Sequence, residues 1–389
     1  MTTAIQLLDF LRDRREDLVG FLERLALTES PSASRTAQQS AFGLLADALD
    51  ELYFDPRLVP GRASGGQLYA RPRERRRPQP IQLLLGHIDT VWPEGTLATM
   101  PVQREGDRLR GPGVYDMKGG LTQIVFALRA LRELGLEAPV TPVVFVNSDE
   151  EIGSRESTRQ IRRLARVANR AYVLEPSLGP DGQLKTARKG IGRFTLTVKG
   201  KAAHAGLNPE AGASAILELS HQIQRLFALN DPVAGVTVNV GMIDGGINPN
   251  VVAPESRAVI DVRVPTHEAA QRVTQAIHGL TPVTPGVSLK IEGALGRPPM
   301  ERTPEGQQLW GVAQNLGQEL GLHLEQASAG GGSDGNTTSQ YTATLDGLGP
   351  VGDGAHAHHE FVVVDKLIER TALLALLLLE PPLARPRSA

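Results

Sequence analysis

Cysteine is absent from the 389 residues. Disulfides are therefore excluded, and so is a thiolate zinc site; any metal must be held by His, Asp and Glu. An excess of charge of either sign is also lacking: 41 Lys and Arg stand against 43 Asp and Glu, a formal net charge of -2. That balance gives no general attraction to nucleic acid or anionic lipid. The one basic cluster, "RPRERRRPQP" (71–80), is interrupted by Glu74 and by prolines, and reads as a solvated loop ahead of a strand. Long apolar runs are missing too. The C-terminal "ALLALLLLE" has about half of the roughly 20 residues needed to span a bilayer and reads as a core helix. The N-terminal "MTTAIQLLDFLRDRRED" lacks the basic, apolar, small-residue order of a signal peptide and reads as an amphipathic helix, so the default expectation is a cytoplasmic protein. Neither GxxxxGKS/T nor GxGxxG occurs, which removes a phosphate-binding reading of "GPGVYDMKGG".

What is present is an ordinary globular balance, 41% apolar and 22% charged, on a chain long enough for two domains. Three aliphatic runs read as strands buried on both faces: "IQLLLG" (81–86), "PVVFVN" (142–147) and "AYVLE" (171–175). Between the first two, Leu121, Ile124, Val125, Leu128 and Leu131 recur at helical spacing, and Gly135 follows as a stop. Strand, helix, strand of this composition predicts a mostly parallel sheet with helices on its faces. Near residue 190 the pattern changes. "GRFTLTVKG" (192–200) alternates, a helix is predicted over 211–229, and "VTVNVGMI" (236–243) and "SRAVIDVRV" (256–264) follow as strands. A helix over 266–278 and the strand "VSLKIEG" (287–293) complete a β-α-β-β-α-β order, that of a ferredoxin-like unit. The predicted fold is thus an α/β catalytic domain, 1–188 and 298–389, carrying an inserted α+β domain, 189–297.

Ligands of open α/β sheets collect at the carboxyl ends of the strands. There the first strand delivers His87 and Asp89, the second Asp149, Glu150 and Glu151, and the third Glu175, while Asp116 precedes the helix. Each has an ordinary structural explanation: a solvated loop, a hydrogen-bonded histidine, a helix cap. Together they are harder to account for, because carboxylates gathered on one side of a sheet repel one another unless cations lie among them. Oxygen and imidazole donors without thiolate suit zinc, cobalt or manganese. In an extended segment residues two apart face the same way, so Asp89 can orient the His87 ring.

Six motifs in order, "LLLGHIDTVWPEGTL", "GPGVYDMKGGL", "NSDEEIGS", "VLEPS", "KAAHAG" and "GAHAHHEFV", resemble those of the co-catalytic di-zinc hydrolases. That family includes glutamate carboxypeptidase, aminoacylase, acetylornithine deacetylase and succinyl-diaminopimelate desuccinylase; the strongest resemblance is to glutamate carboxypeptidase. The resemblance implies two divalent metal ions, zinc with cobalt or manganese as substitutes. Asp116 would bridge them, with His87 and Glu175 completing one site and Glu151 and His356 the other. It implies Glu150 as general base and acid, Asp89 as support for His87, and His204 as an oxyanion contact reached from the inserted domain, across a homodimer in dimeric relatives. Asn250 and Arg297, and with less similarity Arg263, resemble substrate-carboxylate contacts, and "AGGGSDG" (329–335) a pocket-lining segment. Of His356, His358 and His359 the residues alone do not choose; the family spacing favours His356. Asp149, His358 and His359 receive no role.

The expected function is hydrolysis of an amide bond beside a free carboxylate in a small peptidyl or N-acyl amino acid, with no nucleic-acid or membrane partner. The alternative within the same chemistry is an N-acyl amino acid deacylase of the acetylornithine deacetylase kind. A rival class is a serine hydrolase using "GGSDG" as a nucleophile elbow, with Asp353 and His356 following. The polar "NTTSQYTAT" behind it is no amphipathic helix, and that reading leaves His87, Asp116 and Glu151 unexplained.

Overall fold

The computed structural model describes residues 2–74 and 79–384, so Arg75, Arg76 and Arg77 of the basic run lie outside the described residues. The start of that run is strand rather than loop: Gln67–Pro72 pairs with Phe54–Val59, and Arg73 is ion-paired to Asp50. The chain divides into two compact units, Met1–Thr186 with Arg302–Ser328 and Ser333–Ala389, and Ala187–Glu301 with Ala329–Gly332.

The larger unit is built on a six-stranded sheet in the spatial order Phe54–Val59, Gln67–Pro72, Thr141–Asn147, Ile81–His87, Ala168–Val173, Ala343–Leu345. The last four run parallel, and the first two form an antiparallel edge. Every residue of Ile81–His87 and Thr141–Asn147 is buried, which explains runs that are aliphatic without alternation. The pleat sends Leu83, Leu85, Val143 and Phe145 to one face, against Ile161 and Ala165 of the Thr158–Val167 helix or its neighbours. Leu84, Val144 and Val146 go to the other, into a core shared with the Gly119–Glu133 and Val364–Leu379 helices. Each such leucine, removed from water, contributes about 1.5–3 kcal/mol. The helix predicted around Leu121–Leu131 is the Gly119–Glu133 helix, and Gly135 takes the left-handed φ of 65° that ends it.

The apolar C-terminal run forms the Val364–Leu379 helix, packed into that core. Buried Arg170 caps it, donating to the carbonyls of Leu377 (3.4 Å), Glu380 (2.6 Å) and Pro381 (2.6 Å). Among the described residues no helix is long and apolar enough to cross a membrane.

Strand order places the ligand site. From Ile81–His87 the chain passes to a neighbour on one side, Thr141–Asn147, and then to the neighbour on the other, Ala168–Val173. The carboxyl end of Ile81–His87 is therefore a switch point, where connections leave in opposite directions and open a crevice. A small antiparallel sheet lies on the same unit: Phe361–Val363 pairs with Arg108–Arg110 and with Gly352–Asp353. That pairing brings the loop with His356 beside the turn with Asp116.

The smaller unit is a four-stranded antiparallel sheet in the order Thr237–Gly245, Glu255–Val264, Gly190–Lys199, Ser288–Arg297. Phe194, Leu196, Val198, Ile260 and Val262 share its core with Leu219 and Leu226 of the Ala215–Phe227 helix and Val273 and Ile277 of the His267–His278 helix. The element order is the β-α-β-β-α-β expected. One helix starts later than its pattern suggested, at Ala215 instead of 211, because Ser214 caps it by accepting from Leu217 N and Pro209–Ala211 forms a separate turn.

Candidate active site

His87 ends its strand almost fully buried. Its Nδ1 lies 2.9 Å from the backbone carbonyl of Asp89 and 3.4 Å from Oδ1 of the Asp89 carboxylate. In its neutral form a ring that donates from Nδ1 to a carbonyl keeps a lone pair on Nε2. That Nε2 stands 3.3 Å from Asp116 Oδ1 and 3.5 Å from Glu175 Oε1. Asp116 turns its second oxygen the other way: Oδ2 is 3.5 Å from His356 Nε2, which is 3.1 Å from Glu151 Oε2. Asp116 thus stands between two imidazoles, one oxygen toward each. Glu150 joins the first group, with ligand atoms of His87, Glu150 and Glu175 all within 4.8 Å of one another; His87, Asp116 and Glu151 meet the same limit.

Of the three histidines in "GAHAHHE", only His356 reaches this cluster. His358 packs its ring against Trp92, 5.2 Å between centroids, and His359 lies 4.0 Å from Asp353. His356 takes a φ of 61°, a left-handed backbone rarely adopted by a side-chain-bearing residue and one often found where function fixes geometry.

The cluster's electrostatics are unbalanced. Burial raises the Glu151 carboxyl to about 7 against the pull of His356, and burial with the Asp116 charge raises Glu175. Burial works in the same direction on Asp116, yet His356 and His87 hold it below the usual carboxylate range. Contacts with Asp116 and Glu151 lift His356 to about 10. His87 is pushed down by burial and up, with larger net effect, by Asp116, Asp89 and Glu175. Three buried atoms of the cluster, His87 Nε2, Asp116 Oδ1 and Glu151 Oε1, have no hydrogen bond, although the first two face each other at ion-pair distance. Other buried side-chain atoms share that lack, Asn147 Oδ1 and Asp149 Oδ1 among them, but these three belong to groups whose ligand atoms converge within 4.8 Å. Unsatisfied ligand atoms from one imidazole and two carboxylates, converging without a thiol, fit divalent cations held by N and O donors, with the cation taking the place of the imidazole proton.

Other residues hold these groups in place. The Asp89 carboxylate accepts from the backbone N–H of Glu150 and Glu151, both at 3.2 Å, and from Ser32 Oγ at 2.7 Å. Its closer tie to His87 is the main-chain one, so this side chain mainly fixes the turn that carries the two glutamates. Asp149, given no role by the sequence, faces inward and accepts from Glu156 N (2.7 Å) and Ser157 N (3.3 Å), shaping the same loop. Ser333 is fully buried, its hydroxyl donating to Asp346 while accepting from Gly335 N, and His356 sits at the acidic cluster instead; no serine triad is assembled. Asp334 next to it accepts from Asn147 and Ser154, bracing the carboxyl end of Thr141–Asn147. Ser32 carries no signal in the sequence, and Asp334 stands inside "AGGGSDG" with no role of its own, since each works through a contact far along the chain.

Within the smaller unit, His204 and Asn250 are brought side by side: His204 bridges to Val251, and Ala205 N donates to the Asn250 carbonyl at 2.9 Å. His204 Nδ1 accepts from Gly206 N (3.1 Å) and Leu207 N (3.2 Å), which leaves Nε2 to carry the proton. Arg297 ends its strand beside Gly332. Arg263 is held in a two-pronged ion pair by Asp261, at 2.8 and 3.1 Å.

A sequence model of peptidase family M20/M25/M40 matches residues 83–380, most of the chain and all the ligand candidates. The chain belongs to this family. It is accordingly a hydrolase of the metallopeptidase and amidohydrolase kind. It is 29% identical over 303 residues to carboxypeptidase G2 of Pseudomonas sp. (strain RS-16), covering 77% of this chain and 73% of the relative. It is 27% identical over 372 residues to succinyl-diaminopimelate desuccinylase of Nitrosospira multiformis, 90% of this chain and 94% of that one. Its fold is similar to aminopeptidase PepT from Bacillus cereus (TM-score 0.77, 21% identity, 94% of this chain and 98% of that chain). It also resembles a dinuclear metal binding M20 peptidase, YXEP, from Bacillus subtilis (TM-score 0.70, 15% identity, 95% and 98%).

Proposed function

We propose that this M20 chain is a two-cation amide hydrolase of the carboxypeptidase type, acting on a small peptidyl or N-acyl amino acid whose scissile bond adjoins a free carboxylate. The observation that carries the reading is Asp116, whose two oxygens face His87 Nε2 and His356 Nε2 at 3.3 and 3.5 Å. His87, Glu175 and Asp116 would hold one ion, and Asp116, Glu151 and His356 the other. Zinc is the first choice, with cobalt and manganese also matching the donors. The dinuclear Bacillus subtilis peptidase supports the count. When bound, such ions polarise a carbonyl and bring water's acidity near neutral pH.

The chain's own residues do the rest. Glu150, beside the ligands and fixed through its N–H by Asp89, takes the proton of the attacking water and returns it to the leaving nitrogen. His204, with its proton on Nε2, is suited to stabilising the oxyanion, and Asn250 and Arg297 to holding the substrate carboxylate. Arg263 could join them only by loosening its pair with Asp261. The edge strand Thr237–Gly245 exposes Met242 and Ile243, a surface suited to a homodimer through the smaller unit; a monomer with full activity by light scattering would remove that part of the proposal.

Carboxypeptidase G2 supports the peptidyl substrate. The desuccinylase, matched over more of this chain, supports the second reading, deacylation of an N-acyl amino acid. A hydrolysis screen separates them: apo-protein supplied with zinc, cobalt or manganese is offered C-terminal glutamate peptides and N-acyl amino acids. Cleavage that needs the cation and the substrate carboxylate is expected. Equal activity in excess chelator would refute the proposal.

A further inference from the structure

Glu360 lies four residues after His356 and is 1% exposed. Its carboxylate accepts four N–H groups. Oε1 takes those of Tyr115 (2.9 Å) and Asp116 (3.0 Å), and Oε2 takes that of Gly113 (2.9 Å) and the indole Nε1 of Trp92 (2.9 Å). Three of these donors are main-chain groups of the turn that ends in Asp116. Gly113, at a φ of 74°, supplies the left-handed step that lets the turn curl around one carboxylate. The Glu360 backbone is tied as well: its carbonyl accepts from Gly111 N (3.3 Å), and its N–H donates to Ala357 (2.9 Å), which closes the loop carrying His356. One side chain therefore joins the two segments that supply Asp116 and His356, and a negative charge is needed to accept so many donors at once.

We infer that Glu360 is a positioning residue, which fixes Asp116 against His356 and thereby sets the affinity of the pair for a divalent cation without touching it. This rests on the cation reading given above. A glutamine in its place would keep the shape, but it has one acceptor oxygen and would turn an NH2 toward the N–H groups of the turn, so Asp116 would lose its fixed place. Loss of an outer partner of a metal ligand lowers metal affinity by about 10–100-fold.

The test titrates apo-protein with zinc alone, in competition with a chromophoric chelator, for wild type, Glu360→Gln and Trp92→Phe, each checked for native circular dichroism. Glu360→Gln is expected to bind about 10–100-fold more weakly. Trp92→Phe, which keeps the three main-chain donors, should lose less. A folded Glu360→Gln with wild-type affinity overturns the inference, and a role confined to stability would give that result. Amide exchange in cation-free wild type provides a reading that needs no variant: the N–H groups of Gly113, Tyr115 and Asp116 should exchange slowly, and exchange at free-peptide rates overturns the preformed clamp. Wild type that takes up no zinc at all defeats the cation reading itself and this inference with it, whereas equal binding by wild type and Glu360→Gln defeats this inference alone.

Discussion

Glu218 in the smaller unit and Glu151 in the larger are both buried glutamates, and their surroundings could hardly differ more. Glu218 accepts from Gln222 (2.5 Å), Val283 N (3.0 Å) and Thr284 N (2.6 Å), and although burial works against it these donors hold its carboxyl below the usual range. Glu151 has an oxygen with no hydrogen bond, and burial raises it to about 7. Glu218 is surrounded by hydrogen-bond donors; Glu151 stands among other carboxylates and imidazoles, the set of groups that a divalent cation would share. Burial alone does not separate the two. The partners do.

Changes at the two regions should therefore differ in kind. The largest effect is expected at Glu150. Glu150→Ala should keep its metal content while turnover falls by about 10²–10⁴-fold, the contribution of a general acid–base group; a metal-replete variant with near-normal turnover would remove Glu150 from that role. Next comes His87→Ala, expected to lower bound metal toward one ion per chain by elemental analysis; unchanged stoichiometry would remove His87 from the ligands. Glu218→Ala should do the reverse, leaving metal content alone and lowering stability to urea by about 1–3 kcal/mol, because Val283 and Thr284 lose their acceptor. The smallest effect is the acid limb of that same comparison. Since the folded value for Glu218 is lowered, its stabilisation is complete above the unfolded value of about 4.3 and is lost as pH falls through the folded one. The stability gap between wild type and Glu218→Ala should close in acid, and a gap independent of pH down to about 3 would contradict that account.

Sequence alone carried the fold further than the site. The aliphatic runs ending at His87 and Asn147, the helical period between them and the alternation in Gly190–Lys199 are local signals, and each corresponds to an element of the structure. Local signals also limited the reading: the helix expected over 211–229 starts at Ala215 because Ser214 caps it. The ligand candidates stood out because strand ends are sequence-local, and their convergence followed from the parallel sheet. The fastenings were not legible. Ser32 reaches Asp89 and Asp334 reaches Asn147 across 57 and 187 residues, and no pattern within a window records such a contact. Asp149 illustrates the same limit, because its inward turn depends on Glu156 and Ser157 folding back over it.

The central claim is that the orphaned atoms of His87, Asp116 and Glu151, with Glu175 and His356, form a cage for two cations. A crystal structure of the protein grown with excess zinc tests it most directly. Two ions are predicted, with Asp116 between them, His87 and Glu175 on one and Glu151 and His356 on the other. Zinc bound elsewhere, or the five side chains closed on one another with no ion among them, would contradict it.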